Sequence, residues 1–158
     1  MNLSFLSIPM ILAAVIAGIA GGLLMNLYMR MLTREHAVKA DMVTLFGSLL
    51  TGSLDQAKKV GTTIHILAGA GFGVLYTWLL YNLHTLALPQ SAFTGLGMGL
   101  AHGVVVGFIL MILVFHRHPV EDYRQTRITL SVGLVYISAH GIYGVVVALV
   151  AGLFALIP

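Results

Sequence analysis

The chain has no cysteine and very little charge for its length. Without cysteine it can form no disulfide, and it offers no thiolate as a metal ligand or nucleophile. Only 8% of its 158 residues are Asp, Glu, Lys or Arg, whereas 59% are hydrophobic and the mean hydropathy is +1.00. This composition excludes an ordinary soluble domain and indicates a protein that lies within a membrane.

The few charged residues are confined to residues 30–59 and 117–127, so residues 1–29, 60–116 and 128–158 carry none. A helix needs about 20 apolar residues to cross ~30 Å of hydrocarbon. The three uncharged stretches therefore hold one, two and one spans. We predict an all-α membrane protein, a single domain over residues 1–158, with four transmembrane helices at about 9–32, 60–83, 93–115 and 129–156.

The eight Lys and Arg residues lie in the first and third connections between these helices. Basic residues mark loops that stay in the cytoplasm. Both termini should therefore face outward, to the periplasm if this is a bacterial inner-membrane protein. The pI near 9.5 reflects this topology and does not indicate nucleic-acid binding. The expected partners are membrane lipid and other membrane subunits, or further copies of the chain.

The first cytoplasmic loop contains a helical pattern of its own. Apolar residues recur there at the spacing of one helix face, namely Met42, Leu45, Phe46, Leu49 and Leu50. The pattern predicts an amphipathic helix in the membrane interface, with Ser48 on another face. In the other loop, Pro119 followed by Glu121 predicts the start of a further helix.

Small residues recur at every fourth position in all four predicted spans. In lipid, such stripes let helix backbones approach closely, so we expect a Gly-rich, close-packed bundle of the glycine-zipper kind. The glycines assigned to packing are Gly18, Gly22, Gly69, Gly73, Gly95, Gly99, Gly103, Gly107 and Gly144. Asn26 continues the first stripe, and we expect it to form an interhelical hydrogen bond.

Two histidines head matching patterns. His65 and His140, 75 positions apart, each begin the sequence His-x3-Gly-x3-small. The two spans that carry them run in the same direction, which favours a parallel duplication of a two-helix unit. Because both histidines lie on small-residue stripes, they should point into the bundle.

Several segments resemble a known group of proteins, namely LFGSLLTG, GTTIHILAGAGFGVLY, AHGVVVG and AHGIYGVVVALVAG. They are similar to small four-helix bacterial inner-membrane proteins of the YagU-like type and their uncharacterised relatives. The resemblance covers the chain from about residue 41 onward. It implies the four-helix topology, and it implies no particular activity because that grouping has no defined one.

No Asp or Glu lies within a predicted span, which disfavours ion-coupled transport and carboxylate-based sites. The spans do contain His65, His102 and His140. An interhelical hydrogen bond is the simplest role for each. Alternatively, His65 and His140 could ligate haem b between neighbouring helices.

Outside the spans, His116, His118 and Glu121 form a further candidate metal site. Their residue types suit zinc, but their spacing meets no complete rule. No residue is assigned a catalytic role, and no cofactor is required. We predict a non-enzymatic membrane protein that serves as a small subunit or scaffold of a larger complex. The alternatives are a haem b electron carrier and a small-solute channel along the bundle axis.

Overall fold

The computed structural model describes residues 7–35, 42–120 and 130–156, and its regular elements in these ranges are all α-helices. Five helices are present in the described residues: α1 Ile8–Glu35, α2 Met42–Thr51, α3 Ala57–Asn82, α4 Gln90–Arg117 and α5 Leu130–Phe154. The helix start expected at Glu121 lies outside the described residues. Helices α1 and α4 finish, and α3 and α5 begin, at the same end of the bundle. We call this end the charged end.

Four of the helices are long and apolar enough to cross a membrane. Their spans are Ile8–Leu32, Ala57–Asn82, Gln90–Leu113 and Leu130–Phe154. The prediction of an all-α bundle with four spans is therefore confirmed, and the protein is a multi-pass membrane protein. The predicted boundaries are close to the observed ones because charged and uncharged stretches alternate so sharply in the sequence.

Helices α1 and α3 pack antiparallel through glycine. A Cβ atom on Gly18 would collide with the backbone of Gly69 and would lie 2.9 Å from the Cα of Gly73. On the other side, the Cα of Gly22 would lie 3.9 Å from a Cβ on Gly69. Between helices in lipid the hydrophobic effect contributes little, so this close van der Waals contact holds the pair together.

Helices α4 and α5 pack antiparallel in the same way. A Cβ on Gly144 would lie 2.9 Å from the carbonyl carbon of Gly95 and 3.1 Å from the Cα of Gly99. Farther along, a Cβ on Gly103 would lie 2.7 Å from the Cα of Ile137. Because each obstacle is backbone, none of them can move aside as a flexible side chain would.

Gly107 departs from the expected pattern. No atom lies within 4 Å of the place where its Cβ would be, and the same holds for Gly133 opposite it on α5. The prediction that Gly107 packs against a neighbouring backbone is wrong. The spacing of Gly107 puts it on the right face of α4, but α4 and α5 separate toward the charged end. Gly22 likewise has no atom within 4 Å of a built Cβ, so of its predicted packing only the approach of its Cα to Gly69 is observed among the described residues.

The two glycine contacts are equivalent. Gly18 and Gly22 of α1 flank Gly69 of α3, and a corresponding pair of glycines of α4 flanks Gly144 of α5. This equivalence supports the predicted duplication, with α1 and α3 as one unit and α4 and α5 as the other. In both units the second helix contributes the stripe headed by a histidine.

Contacts between the two units are not equivalent. Helix α1 packs along α5, where Gly21 lies against the ring of Tyr143 and the Tyr28 hydroxyl lies 3.1 Å from the Oγ of Ser138. The symmetry-related contact, between α3 and α4, is sparse by comparison. The bundle is therefore closed on one side and open on the other.

Helix α2 packs on the first turns of α3. A Cβ on Gly47 would collide with the Ala57 carbonyl oxygen and would lie 2.9 Å from the nitrogen of Gly61. The predicted helix is present, and it packs through the face on which Ser48 is fully buried, whereas Leu50 on the predicted apolar face is 54% exposed. Gly47 explains the difference, because the face without a side chain can approach α3 most closely.

Candidate functional site

A cavity of about 270 Å³ lies between α3 and α4, on the open side of the bundle. Side chains from all five described helices line it, and most of them are apolar. Two lining residues, Phe72 and Ile109, are also 37% and 51% exposed at the outer surface. The cavity therefore opens sideways between α3 and α4, on a surface that faces lipid.

Helix α2 forms the wall of the cavity nearest the charged end. Val43 and Phe46 contribute to the lining there. Since α2 is anchored to α3 by the Gly47 contact, this wall is part of the packed structure. The sequence pattern alone suggested a helix lying apart from the bundle in the interface.

His140 contributes a hydrogen-bond acceptor to the cavity. Its Nδ1 lies 2.8 Å from the carbonyl oxygen of Tyr136, one turn earlier on α5. A carbonyl oxygen only accepts, so Nδ1 is the donor, and a neutral ring then carries a lone pair on Nε2. No hydrogen bond from a described residue reaches that nitrogen. Gly99 helps to place the ring, because its missing side chain lets α4 approach the His140 carbonyl.

His102 lies next to His140 on the opposing helix, with 4.9 Å between the ring centroids. The hydroxyl of Tyr76 lies 3.2 Å from the Met98 carbonyl oxygen and 3.0 Å from the Nδ1 of His102. Both contacts are hydrogen bonds when Tyr76 donates to the carbonyl and His102 donates to the Tyr76 oxygen. In that arrangement His102, like His140, carries its lone pair on Nε2.

His65 lines the cavity from α3. Its Nε2 is buried and has no hydrogen-bond partner among the described residues. Leaving such an atom unpaired typically costs about 1–3 kcal/mol. Unsatisfied buried polar atoms are rare in native structures, so this atom indicates a site where a partner binds.

The structure brings all three span histidines to one cavity, whereas the sequence paired only His65 with His140. A signal for His102 was present in the sequence. Ala-His-Gly occurs at residues 101–103 and again at 139–141, and the two copies face each other across the contact between α4 and α5.

Asn26 is only 8% exposed, and its Oδ1 has no hydrogen-bond partner among the described residues. The interhelical hydrogen bond expected for it is therefore not formed by this atom within the described part of the chain. Oδ1 of Asn26 is thus another polar atom without a partner among the described residues, and it lies on α1, which lines the cavity through Gly22 and Met29.

The predicted metal site at His116, His118 and Glu121 is not assembled in the part that the structure describes. Glu121 and the side chain of His116 lie outside the described residues. Within them, no group of three or more His, Asp or Glu side chains is placed to hold a metal ion. His118 instead has a structural contact with α2.

That contact begins with Pro119. The residue before a proline is disfavoured in the helical conformation, and His118 is extended, with φ −67° and ψ 125°. Its Nδ1 lies 3.2 Å from both the nitrogen and the carbonyl oxygen of Val120. Nε2 lies 3.2 Å from the Leu45 carbonyl oxygen and 3.3 Å from the Ser48 Oγ. His118 thereby joins the end of α4 to α2.

The structure also bears on whether haem fits at His65 and His140. His140 has the arrangement common in metal-bound histidines, with the second nitrogen donating to a carbonyl. The nearby glycines, however, provide no groove for a porphyrin ring. The space beside Gly69, and likewise the space beside Gly144, is filled by the backbone of the neighbouring helix. A haem would have to lie within the cavity itself.

Comparisons with known proteins do not assign this chain to a family. No family model, curated protein or solved structure matches it. The resemblance to the YagU-like type therefore stays a prediction, and the function has to be argued from the cavity.

Proposed function

We propose that this protein is a non-enzymatic membrane protein that binds one small, membrane-soluble molecule in the cavity between α3 and α4. One observation carries the proposal: a mainly apolar cavity contains nitrogens with no hydrogen-bond partner among the described residues, the buried Nε2 of His65 and Nε2 of His140. Binding sites for small molecules combine an apolar lining with a few placed polar groups in this way.

The size and the opening of the cavity support this function. Its volume of about 270 Å³ equals roughly nine molecules of liquid water. Water does not fill apolar cavities readily, whereas apolar molecules do bind in them. Because the mouth lies between Phe72 and Ile109, a molecule dissolved in the bilayer can enter without crossing the bundle.

Gly22→Leu should weaken binding about tenfold. Gly22 lines the cavity, and no atom lies within 4 Å of a Cβ built on it, so a leucine side chain begins in open space and takes up part of the cavity. Protein purified in mild detergent is extracted with organic solvent, and the extract is analysed by mass spectrometry. We expect one compound in near-stoichiometric amount from the wild type and about tenfold less from Gly22→Leu, equivalent to about 1.4 kcal/mol of binding free energy.

Gly71→Leu is the matched control. Gly71 also has open space around it, but it is exposed on α3 and does not line the cavity. This variant should retain the compound. A wild type that yields no compound, or a Gly22→Leu protein that retains it, would contradict the proposal.

We further propose that the protein lies in the bacterial inner membrane with both termini in the periplasm. The eight basic residues of the charged end and its loops support this orientation. Reporter fusions after Leu88 and at Pro158 should be active outside, whereas a fusion after Asp55 should be active in the cytoplasm. A cytoplasmic signal from Pro158 would contradict the orientation.

A role as a small subunit of a larger complex is the second candidate. It is favoured by Gly71 and Gly97, which are exposed and have no atom within 4 Å of a built Cβ. Exposed glycines of this kind give another membrane helix room to approach. Purification from native membranes should then recover a stoichiometric partner, and Gly97→Leu should release it.

Haem b binding remains an alternative because both His65 and His140 offer nitrogens that no other described residue binds. A reduced-minus-oxidised absorption spectrum of the purified protein distinguishes it from the other proposals. Haem requires Soret and α bands that His65→Ala and His140→Ala each abolish. The first proposal predicts no such bands. A channel is disfavoured, since the cavity is mostly apolar and opens sideways.

A further inference from the structure

The polar atoms of the cavity also specify the chemistry of the molecule it takes. We propose that this molecule is a neutral, membrane-soluble compound with a hydroxyl head group, and that the hydroxyl donates a hydrogen bond to Nε2 of His140. This inference rests on the proposed function, and it adds the ligand class to it.

The hydrogen bond of His140 fixes the direction in which a ligand can pair with it. His140 donates its Nδ1 proton to the Tyr136 carbonyl oxygen, because a carbonyl only accepts. The neutral His140 ring therefore carries a lone pair on Nε2, and the His102 ring lies next to it with 4.9 Å between the centroids. Nε2 of His140 is an acceptor and needs a donor from the ligand.

Two other kinds of head group fit this environment poorly. A ketone, quinone or ether oxygen only accepts, so it would leave Nε2 of His140 unpaired. A charged head group would lack a counter-ion, because residues 60–116 and 128–158 contain no Asp, Glu, Lys or Arg. Burial of an unpaired charge is strongly unfavourable. A neutral hydroxyl avoids both penalties.

His65 gives the hydroxyl oxygen a partner as well. A hydroxyl donates one hydrogen bond and accepts others. While its proton binds His140, its oxygen can accept from an N–H of His65, which has a buried nitrogen without a partner among the described residues. Both residues line the same cavity. One hydroxyl would therefore satisfy polar atoms on α3 and α5 together.

The apolar body of the ligand then lies toward the mouth. From the histidines, the lining continues through apolar side chains to Phe72 and Ile109, which are exposed to lipid. The head group is thus held inside the bundle, and the tail can extend into the bilayer. This geometry suits a long-chain alcohol or a phenol with an apolar chain.

The test compares three probes of equal length: 1-octanol, its isomer 1-methoxyheptane, and 2-octanone. Affinity is measured from the concentration dependence of the thermal midpoint in detergent, because a ligand that binds the folded state raises it. The thermal midpoint of Gly22→Leu is measured with the same probes and detergent. It shows how much of the shift arises because the probes partition into the micelles. We expect octanol to bind the wild type about tenfold more tightly than the ether or the ketone.

His140→Phe should remove the preference for octanol, because it keeps a ring and deletes the acceptor. Ser138→Ala is the matched control on α5: it deletes a polar group that is not part of the cavity lining, and the tenfold preference should persist. If His140→Phe fails to fold, the ranking of the three probes on the wild type still decides the question.

Each other outcome is decisive. Equal affinity for octanol and the ether would overturn the hydroxyl assignment and would indicate that water serves the histidines. Tighter binding of the ketone would overturn it in favour of a donor site. In both cases the proposed function stands. If none of the probes stabilises the wild type beyond Gly22→Leu, the cavity does not bind such molecules, and both proposals fail.

Discussion

Gly99→Ala should melt roughly 4–8 °C below Gly97→Ala in the same detergent. The two glycines are on the same helix, two positions apart, and differ in their surroundings. A Cβ on Gly99 would collide with the His140 carbonyl oxygen and would lie 2.9 Å from the Cα of Gly141, whereas nothing lies within 4 Å of Gly97. The substitution is chemically identical at both positions, so any difference reports on packing.

The size of the difference follows from the packing cost. Overpacking against backbone should cost about 2 kcal/mol at Gly99. The gain from replacing glycine by alanine in a helix, up to about 1 kcal/mol, applies at both positions and cancels in the comparison. The free energies of unfolding should therefore differ by about 2 kcal/mol. Equal thermal midpoints would show that α4 and α5 are farther apart than the structure places them.

The same pair of variants connects packing to binding. Gly99 lies against the carbonyl of His140, so alanine there should push the His140 ring away from its position in the cavity. Gly97 has no such contact. If octanol binds in the proposed way, Gly99→Ala should weaken it and Gly97→Ala should not.

His118→Ala should release α2 from the bundle. His118 is 1% exposed, and its Nε2 lies within hydrogen-bond distance of Leu45 and Ser48 of α2. Loss of these buried hydrogen bonds should cost about 2 kcal/mol. The amides of α2 should then exchange about 30-fold faster in hydrogen exchange measured by mass spectrometry, since each ~1.4 kcal/mol changes an opening equilibrium tenfold.

Leu50→Ala is the control for this experiment. Leu50 is also on α2, but its side chain is 54% exposed and takes no part in the hydrogen bonds of His118. Its exchange should stay close to that of the wild type. Unchanged protection of α2 in His118→Ala would show that the Gly47 contact alone holds this helix in place.

The open side of the bundle links the duplicated architecture to the proposed function. Glycines close α1 onto α3 and α4 onto α5, and Gly21 brings α1 against Tyr143 of α5. No comparable contact draws α3 to α4. A fully symmetric bundle would pack α3 against α4 as closely as α1 packs against α5, and it would leave no lateral opening there.

Much of the fold could be predicted from the sequence because its signals are local. Charge-free stretches of sufficient length determine the spans, since a charged side chain in hydrocarbon is costly. The regular spacing of small residues within each helix identifies the face on which backbones meet, as at Gly18, Gly69 and Gly144. This spacing is a property of one helix and can be read from the sequence. The helical pattern from Met42 to Leu50 likewise reveals α2.

Only the tertiary structure decided which faces are neighbours and how far apart they lie. Gly107 has the same spacing as Gly103, yet α4 has already left α5 at that point. His102 and His118 offered no periodicity to distinguish them, but the first lies beside His140 and the second holds α2. Periodicity specifies the direction of a side chain on its own helix. A cavity depends on the separation of two helices, which the whole bundle determines through contacts distant in sequence.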